Sequence, residues 1–385
     1  MKKKPNGAFY LISKGEAVVS SNGKNKEYQK KRNLLYFAGI FLTFIILYGA
    51  IGFGLTFQFF DWAQSMTQSS YGVVVLYFLF FSLYSLVISF PMSIYSGFIL
   101  EHQYHLSNQT LAAWFGEWGK RQLLGFVISA PLVLLLYILI WNFQTSWWFL
   151  GWLGYASFSL VMGKLFPVII VPLFYKYSPI QDQALKTRIE ALAARFDLKI
   201  KNISALNLSK TTKKANAAFT GLGKTKRVIL GDTLLDSFSH DEIETVLAHE
   251  LGHCKNHDIW KQFFFGALFS LVCFWLAYQL LTGFSVQLGY QGPGDVRSFS
   301  LFSLIFYIFG LIMSPAGNAF SRYAENKADQ FALEATRNKK SFISAMQKLS
   351  DMNLADPDPN PLIEFLTYDH PAIGKRIRMA EQYRL

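Results

Sequence analysis

The chain has 385 residues, of which 52% are hydrophobic, 17% aromatic and 16% charged, with 37 Lys/Arg against 25 Asp/Glu and a formal net charge of +12. Soluble domains carry about 25% charged residues, so this composition excludes fibrous, collagenous and disordered chains and points to membrane segments. Two cysteines, Cys254 and Cys273, cannot build a disulfide framework.

In chain order, the first element is a basic segment, 1–33, with nine Lys/Arg. The uncharged run 34–55 follows; at about 20 residues per bilayer crossing it is long enough to span. It starts too late and runs too long for a cleaved signal sequence. Further apolar stretches at 73–100, 123–141, 147–174, 259–281 and 299–313 bring the expected spans to six. The fourth carries Lys164 and Pro167 and is expected to kink or split, and the sixth to extend helically to about 320. Segments 56–72 and 142–146 lack Lys and Arg, and 282–298 holds only Arg297. The N-terminus, the 101–122 loop, 175–258 and the C-terminal tail hold 34 of the 37 basic residues. Lys and Arg collect on the cytoplasmic side, so both termini and both polar segments are expected there, and the basic excess requires no nucleic-acid partner.

Within 175–258, the spacing of Leu185, Ile189, Leu192 and Phe196 predicts a helix over 181–199. Residues 203–209 and 227–232 read as short strands, with 216–221 between them as a third ending at Gly221. Ser239 followed by Glu242 forms a capping box, and the helix it starts runs towards the fifth span. After about 318 come two helices, a loop over 355–361 punctuated by three prolines, and a His-Pro turn leading into a basic C-terminal helix.

His249-Glu250-Leu251-Gly252-His253 is an HExxH motif. Residues four apart share a helix face, so both imidazoles can bind one Zn²⁺ while Glu250 reaches a water. A catalytic zinc takes a third protein ligand. His257 lies too far along a straight helix, because three ligands at that pitch span about 12 Å. Glu325 and Asp329 are also four apart; one can ligate while the other orients a ligand imidazole. Glu325 is the better placed, a short way past the sixth span as His253 is six residues before the fifth, about 9 Å along a continuous helix.

With these residues the chain resembles the M48 family of membrane zinc metalloproteases, most closely its Ste24-type CAAX prenyl protease 1 branch in a bacterial version. The similarity rests on HELGHCKNH, on Glu325-Asn326-Lys327-Ala328-Asp329, on Asn216 to Gly221, on Pro172 to Pro179, and on Tyr368-Asp369-His370-Pro371 with Arg376. It implies a mainly α, polytopic membrane protein of about six transmembrane helices with a cytoplasmic zincin-like α+β catalytic domain. The expected order is a basic cytoplasmic segment 1–33, spans one to four over 34–174 with the 101–122 loop, a first catalytic segment over 175–258, spans five and six over 259–317, and a second catalytic segment over 318–385. The resemblance implies one Zn²⁺ per chain, held by His249, His253 and Glu325, with Asp329 orienting a ligand imidazole. Glu250 would move the proton of the attacking water, and His370 and Arg376 would contact substrate or its oxyanion. Asn216, Ala217, Ala218 and Phe219 would add the substrate as an edge strand. Eukaryotic members of that branch have seven spans; six are expected here, with the basic stretch in place of the first helix. Peptide-bond hydrolysis is implied, on a peptide or protein, with lipidated or membrane-embedded ones among the candidates, at a bacterial inner membrane with the active site towards the cytoplasm.

Other readings are an M48 quality-control protease of the HtpX branch, a site-2-type intramembrane protease, and a six-helix transporter with an incidental metal. The N-terminal helix set and the 101–122 loop disfavour the first; no L-D-G segment supports the second and no paired repeat the third.

The charge distribution predicts a labelling pattern. In a Cys-free background, Ser65→Cys in the 56–72 loop should react with a membrane-impermeant thiol reagent on intact cells, and Ser209→Cys should not. The reverse pattern would overturn the orientation.

Overall fold

The computed structural model describes residues 14–198, 200, 202–220 and 227–384. Residues 1–13 of the basic segment and Gly221, the expected strand end, lie outside the described residues. Among the described residues, six helical stretches are long and apolar enough to cross a membrane: Gly23–Gly52, Ser70–Gln103, Leu111–Asn142, Trp147–Leu173, Asp258–Phe284 and Val296–Thr336. No more than 22% of the most apolar window of any span is buried within the chain, so its apolar surface faces mainly outwards. Exposed Phe41, Ile45, Val87, Leu123, Phe264 and Ile312 need a hydrocarbon environment.

Helix α1 (Lys14–Gly52) joins the basic residues to the first span without a break. The segment 1–33 is therefore not a separate stretch over its described residues. Its turns dock on the polar half of the chain, where Asn25 donates to the Ala355 carbonyl at 3.1 Å and Gln29 to that of Leu354 at 2.8 Å. The expected 56–72 loop holds a short helix, α2 (Leu55–Met66). Ser69 caps α3 (Ser70–Ile94), which passes through a π turn, Tyr95–Ile99, into α4 (Leu100–Gln103). Thr110 caps α5 (Leu111–Asn142), and α6 (Trp147–Leu165) runs on into a π turn at Phe166–Ile170 around Pro167, so the fourth stretch is interrupted there but not split into two spans. Lys164 is exposed in the last turn of α6. Tyr77, Tyr137, Trp147, Phe274 and Phe299 form the centre of the core between these helices. Arg297, the lone basic residue of its loop, is paired with Asp295.

The polar half is built on a four-stranded sheet in the order β1-β2-β4-β3, from β1 (Tyr177–Pro179), β2 (Asn202–Leu206), β3 (Ala217–Thr220) and β4 (Arg227–Gly231). β2 and β4 are parallel; β1 and β3 flank them antiparallel, which leaves β3 at an edge. Helix α7 (Gln183–Ala194) buries Leu185, Ile189 and Leu192 against this sheet's core, at the spacing seen in the sequence. α8 (Asp232–Ser237) leads to α9 (His240–Lys255), whose capping box between Ser239 and Glu242 is complete. Lys348 and Ser344, both on α12 (Lys339–Asn353), donate to the same Glu242 carboxylate at 2.6 Å.

Two expectations about continuity are corrected. The HExxH helix does not run on into the fifth span. His257 takes the left-handed conformation (φ 55, ψ 33) and separates α9 from α10 (Asp258–Phe284). Conversely, the sixth span and the following polar helix are one element, α11 (Phe299–Thr336), because nothing after Pro315 ends the helical repeat and the bundle tolerates the proline. At 38 residues α11 is about 57 Å long, so it carries Glu325 and Asp329 rigidly from the membrane to α9.

α9 and α11 touch where Gly252 faces Ala328. A Cβ on Gly252 would lie 3.0 Å from the Ala328 Cα, a backbone atom of the neighbouring helix. Gly252→Ala should therefore lower the Tm: overpacking costs about 1–3 kcal/mol, against a gain of about 1 kcal/mol from alanine's helix propensity. A Tm at or above the parent's would mean that the two helices separate freely.

Candidate metal centre and substrate edge

Helix α9 projects His249 and His253 from one face, and α11 brings Glu325 against them. The His249 and His253 Nε2 atoms are 3.2 Å apart, and each is 3.2 Å from a Glu325 carboxylate oxygen. The donor atoms of the three residues all lie within 4.8 Å of one another. A tetrahedral site with metal–ligand bonds of about 2.0–2.1 Å has edges of about 3.3 Å, so the spacing fits a metal ion. Among the described residues the buried Glu325 Oε2, although 3.2 Å from His249 Nε2, has no aligned hydrogen-bond partner, as expected of an atom whose partner is a cation.

Asp329 is fully buried one turn beyond Glu325, and its Oδ1 lies 2.8 Å from His249 Nδ1. Arg376 reaches it from helix α14 (Ile373–Gln382), which follows α13 (Pro361–Thr367), with bonds of 2.8 and 2.5 Å to the two Asp329 oxygens. A buried carboxylate of this kind requires a counter-charge. The Arg376 guanidinium is thus engaged behind the cluster, although it also borders the cavity in front. Burial alone would push the His249 imidazole down; the Asp329 and Glu325 carboxylates outweigh it and hold it up at about 9. His253 is likewise raised: its own burial opposes the shift and the Glu325 carboxylate overcomes it. Both imidazoles attract positive charge, whether protons or a metal that displaces them.

His370 stands half-exposed at the mouth, its Nε2 3.2 Å from Glu325 Oε1 and its Nδ1 2.9 Å from Asp369. A cavity of about 320 Å³ opens there, lined by His249, Glu250, His370 and Arg376 together with Asn216 and Ala217 of the sheet edge. The Phe219 N–H donates to Glu250 Oε2 at 3.2 Å, so that amide points away from the sheet. The Asn216 carbonyl points the other way and accepts from Gly231 N at 2.9 Å. Alternation then turns the backbone groups of Ala217 and Phe219 towards the free edge and those of Ala218 into the ladder. The Phe219 side chain packs in the core of the polar half.

His257 and the 101–105 residues stand apart from the metal cluster. His102 bridges the carbonyls of Phe98 and Gln109 at 2.8 Å each, and Glu101 binds Tyr28 at 2.5 Å and Lys214 at 2.8 Å. Reasoning from sequence missed Asp258, which lies 3.0 Å from His253 Nδ1. Its signal was an acid directly after His257, obscured by the assumption of an unbroken helix.

Residues 179–384 match the model of peptidase family M48. The chain belongs to that family. Residues 19–176 match a second model, the CAAX prenyl protease N-terminal region with five membrane helices. That stretch contains four of the six candidate spans here. An uncharacterized metalloprotease of Bacillus subtilis, YhfN, is 30% identical over 93% of this chain and 84% of its own. The CAAX prenyl protease 1 of Saccharomyces cerevisiae is 31% identical over 76% and 68% respectively. The crystal structure of S. mikatae Ste24p superposes with a TM-score of 0.86 at 25% identity, covering 94% of this chain and 89% of that one. This M48 member is an integral-membrane metalloprotease related to CAAX prenyl protease 1, and the same matches favour that branch over the HtpX reading.

If His249, His253 and Glu325 hold a metal and Glu250 does not, substitutions should separate them. His249→Ala and Glu325→Ala should each lower the metal content of the purified protein well below one equivalent, and Glu250→Gln should leave it at the parent value. Metal uptake near pH 7 should release protons, since the metal-free His249 stays protonated up to about pH 9, and apparent affinity should rise with pH over that range. These are checked by elemental analysis and by titration in weakly buffered solution.

Proposed function

We propose that this protein is a zinc-dependent endopeptidase that takes an extended peptide along the free edge of β3 and cleaves it beside Glu250, at the cytoplasmic face of a bacterial inner membrane. One observation carries the reading: two imidazole nitrogens 3.2 Å apart, each 3.2 Å from one oxygen of the Glu325 carboxylate, with the Glu250 carboxylate and the edge of β3 beside them. Two nitrogens and one carboxylate oxygen form a donor set suited to zinc. When bound, that ion lowers the pKa of water and polarises a carbonyl.

The chain's own groups supply the rest. His249, His253 and Glu325 hold the metal. The backbone of Ala217 and the carbonyl of Phe219 can pair with a substrate strand, while the Phe219 amide is taken by Glu250, so sequence-tolerant main-chain bonds fix its register. Glu250 lies against that strand, where it can take the proton of an attacking water and hand it to the departing amine. His370, at the mouth, is the side chain placed to donate to the carbonyl oxygen as it gains charge. Arg376 acts through Asp329, holding the carboxylate that holds His249. Asn216 and Ala218 contribute by fixing β3 to β4 rather than by pairing with the peptide.

The cytoplasmic orientation is supported by the 34 of 37 basic residues on one side, and the bacterial setting by the Bacillus relative. The names of the yeast protein and other relatives make lipidated, membrane-anchored peptides the first substrates to try.

Two substitutions test the mechanism. Glu250→Gln should keep metal and fold yet lose roughly two to four orders of magnitude in peptide hydrolysis. Ala217→Pro removes an outward amide without breaking a ladder bond; it should cut kcat/KM at unchanged metal content and nearly unchanged Tm, whereas Ala218→Pro should destabilise the sheet. Near-parent hydrolysis by Glu250→Gln would overturn its role as base, and near-parent kcat/KM for Ala217→Pro would place the peptide elsewhere.

A further inference from the structure

Each imidazole of the cluster is backed by its own carboxylate, and the two carboxylates come from different elements. Asp329 on α11 backs His249. Asp258 backs His253, with its Oδ2 3.0 Å from His253 Nδ1, and it is 4% exposed. Asp258 is the first residue of α10, the helix that forms the fifth span.

This contact depends on the helix break. On an unbroken helix, residue 258 would sit five positions after 253, about 140° around the axis and directed away from it. The left-handed His257, at φ 55 and ψ 33, turns the chain so that Asp258 reaches back. A non-glycine residue in that conformation costs about 1–2 kcal/mol, and it persists where the surroundings over-determine it. The amides of the first α10 turn favour a carboxylate at this position. Among the described residues, the only other charged group paired with Asp258 is the ammonium of Lys261, largely exposed and 3.6 Å from Oδ1. Asp329, by contrast, shares its charge with the buried Arg376.

From this we infer that Asp258 is a positioning residue of the metal centre. By accepting from Nδ1–H it fixes the His253 tautomer that turns Nε2 towards Glu325 and His249. It also ties the centre to the fifth span, so that the start of a membrane helix sets the angle of one metal ligand. The inference rests on the reading of His249, His253 and Glu325 as ligands.

The test uses the full-length protein in detergent, stripped of metal, then titrated with Zn²⁺ against a chromophoric chelator and with Co²⁺ by visible absorption. Asp258→Asn should weaken Zn²⁺ binding about 10–100-fold and shift the Co²⁺ band, with the metal-free Tm close to the parent's. Lys261→Met should leave both unchanged, and His257→Gly, which suits the left-handed turn, should retain parent affinity. If Asp258→Asn does not fold, Asp258→Glu carries the test: it keeps the charge but displaces the carboxylate by one methylene, and intermediate affinity with a shifted Co²⁺ band is expected. Parent-like Zn²⁺ affinity and an unshifted Co²⁺ band in the folded Asp258 variant would overturn the inference while leaving the ligand assignment intact. A parent protein that binds neither metal would overturn the ligand assignment itself.

Discussion

The backbone contact between Gly252 and Ala328 governs the geometry of the centre. Two helices can bring short side chains such as Glu325 and Asp329 within reach of imidazoles only if their axes come close, and a Cβ at residue 252 would meet the α11 backbone at 3.0 Å. The glycine inside HELGH therefore sets the distance between His249 and His253 on one helix and Glu325 on the other. It also sets how deeply Asp329 is buried, and with that the need for Arg376.

The membrane and catalytic halves are not stacked modules. α11 belongs to both, and the first helix lays its described basic turns against the loop between α12 and α13 through Asn25 and Gln29. Glu101, at the end of the second span, holds Lys214, two residues before Asn216 at the start of the strand edge. A shift of the spans would be felt at the metal centre through α11 and at the edge strand through Lys214. Such rigid links suit a site that must meet a peptide at a fixed depth relative to the bilayer.

Charge compensation runs in layers from the cluster outwards. Glu325 faces the two imidazoles, Asp329 stands behind His249, and Arg376 stands behind Asp329. Each buried charge is answered by the next, which keeps the cost of burial tolerable. Arg376 also borders the cavity beside His249 and Glu250, so its pairing with Asp329 leaves it at the edge of the candidate site.

Much of this was legible in the sequence, because it is local. Apolar runs of bilayer length, the asymmetry of Lys and Arg, the Ser239–Glu242 cap and the four-residue spacing of His249 and His253 all follow from helix geometry and solvation within a few residues; Glu325 was singled out by its resemblance to a family motif. Tertiary structure decided what depends on approach between distant segments. The partner of Arg376 was set by the packing of α14 on α11. Which of Ala217 and Ala218 faces outward was set by the register of β3 on β4. The break at His257 was invisible to periodicity, since nothing in HCKNHD marks a left-handed turn except the return contact from Asp258 to His253. Sequence determines what a residue can do within its own helix or strand; the distance to residues 80 or 130 positions away is a property of the packed whole.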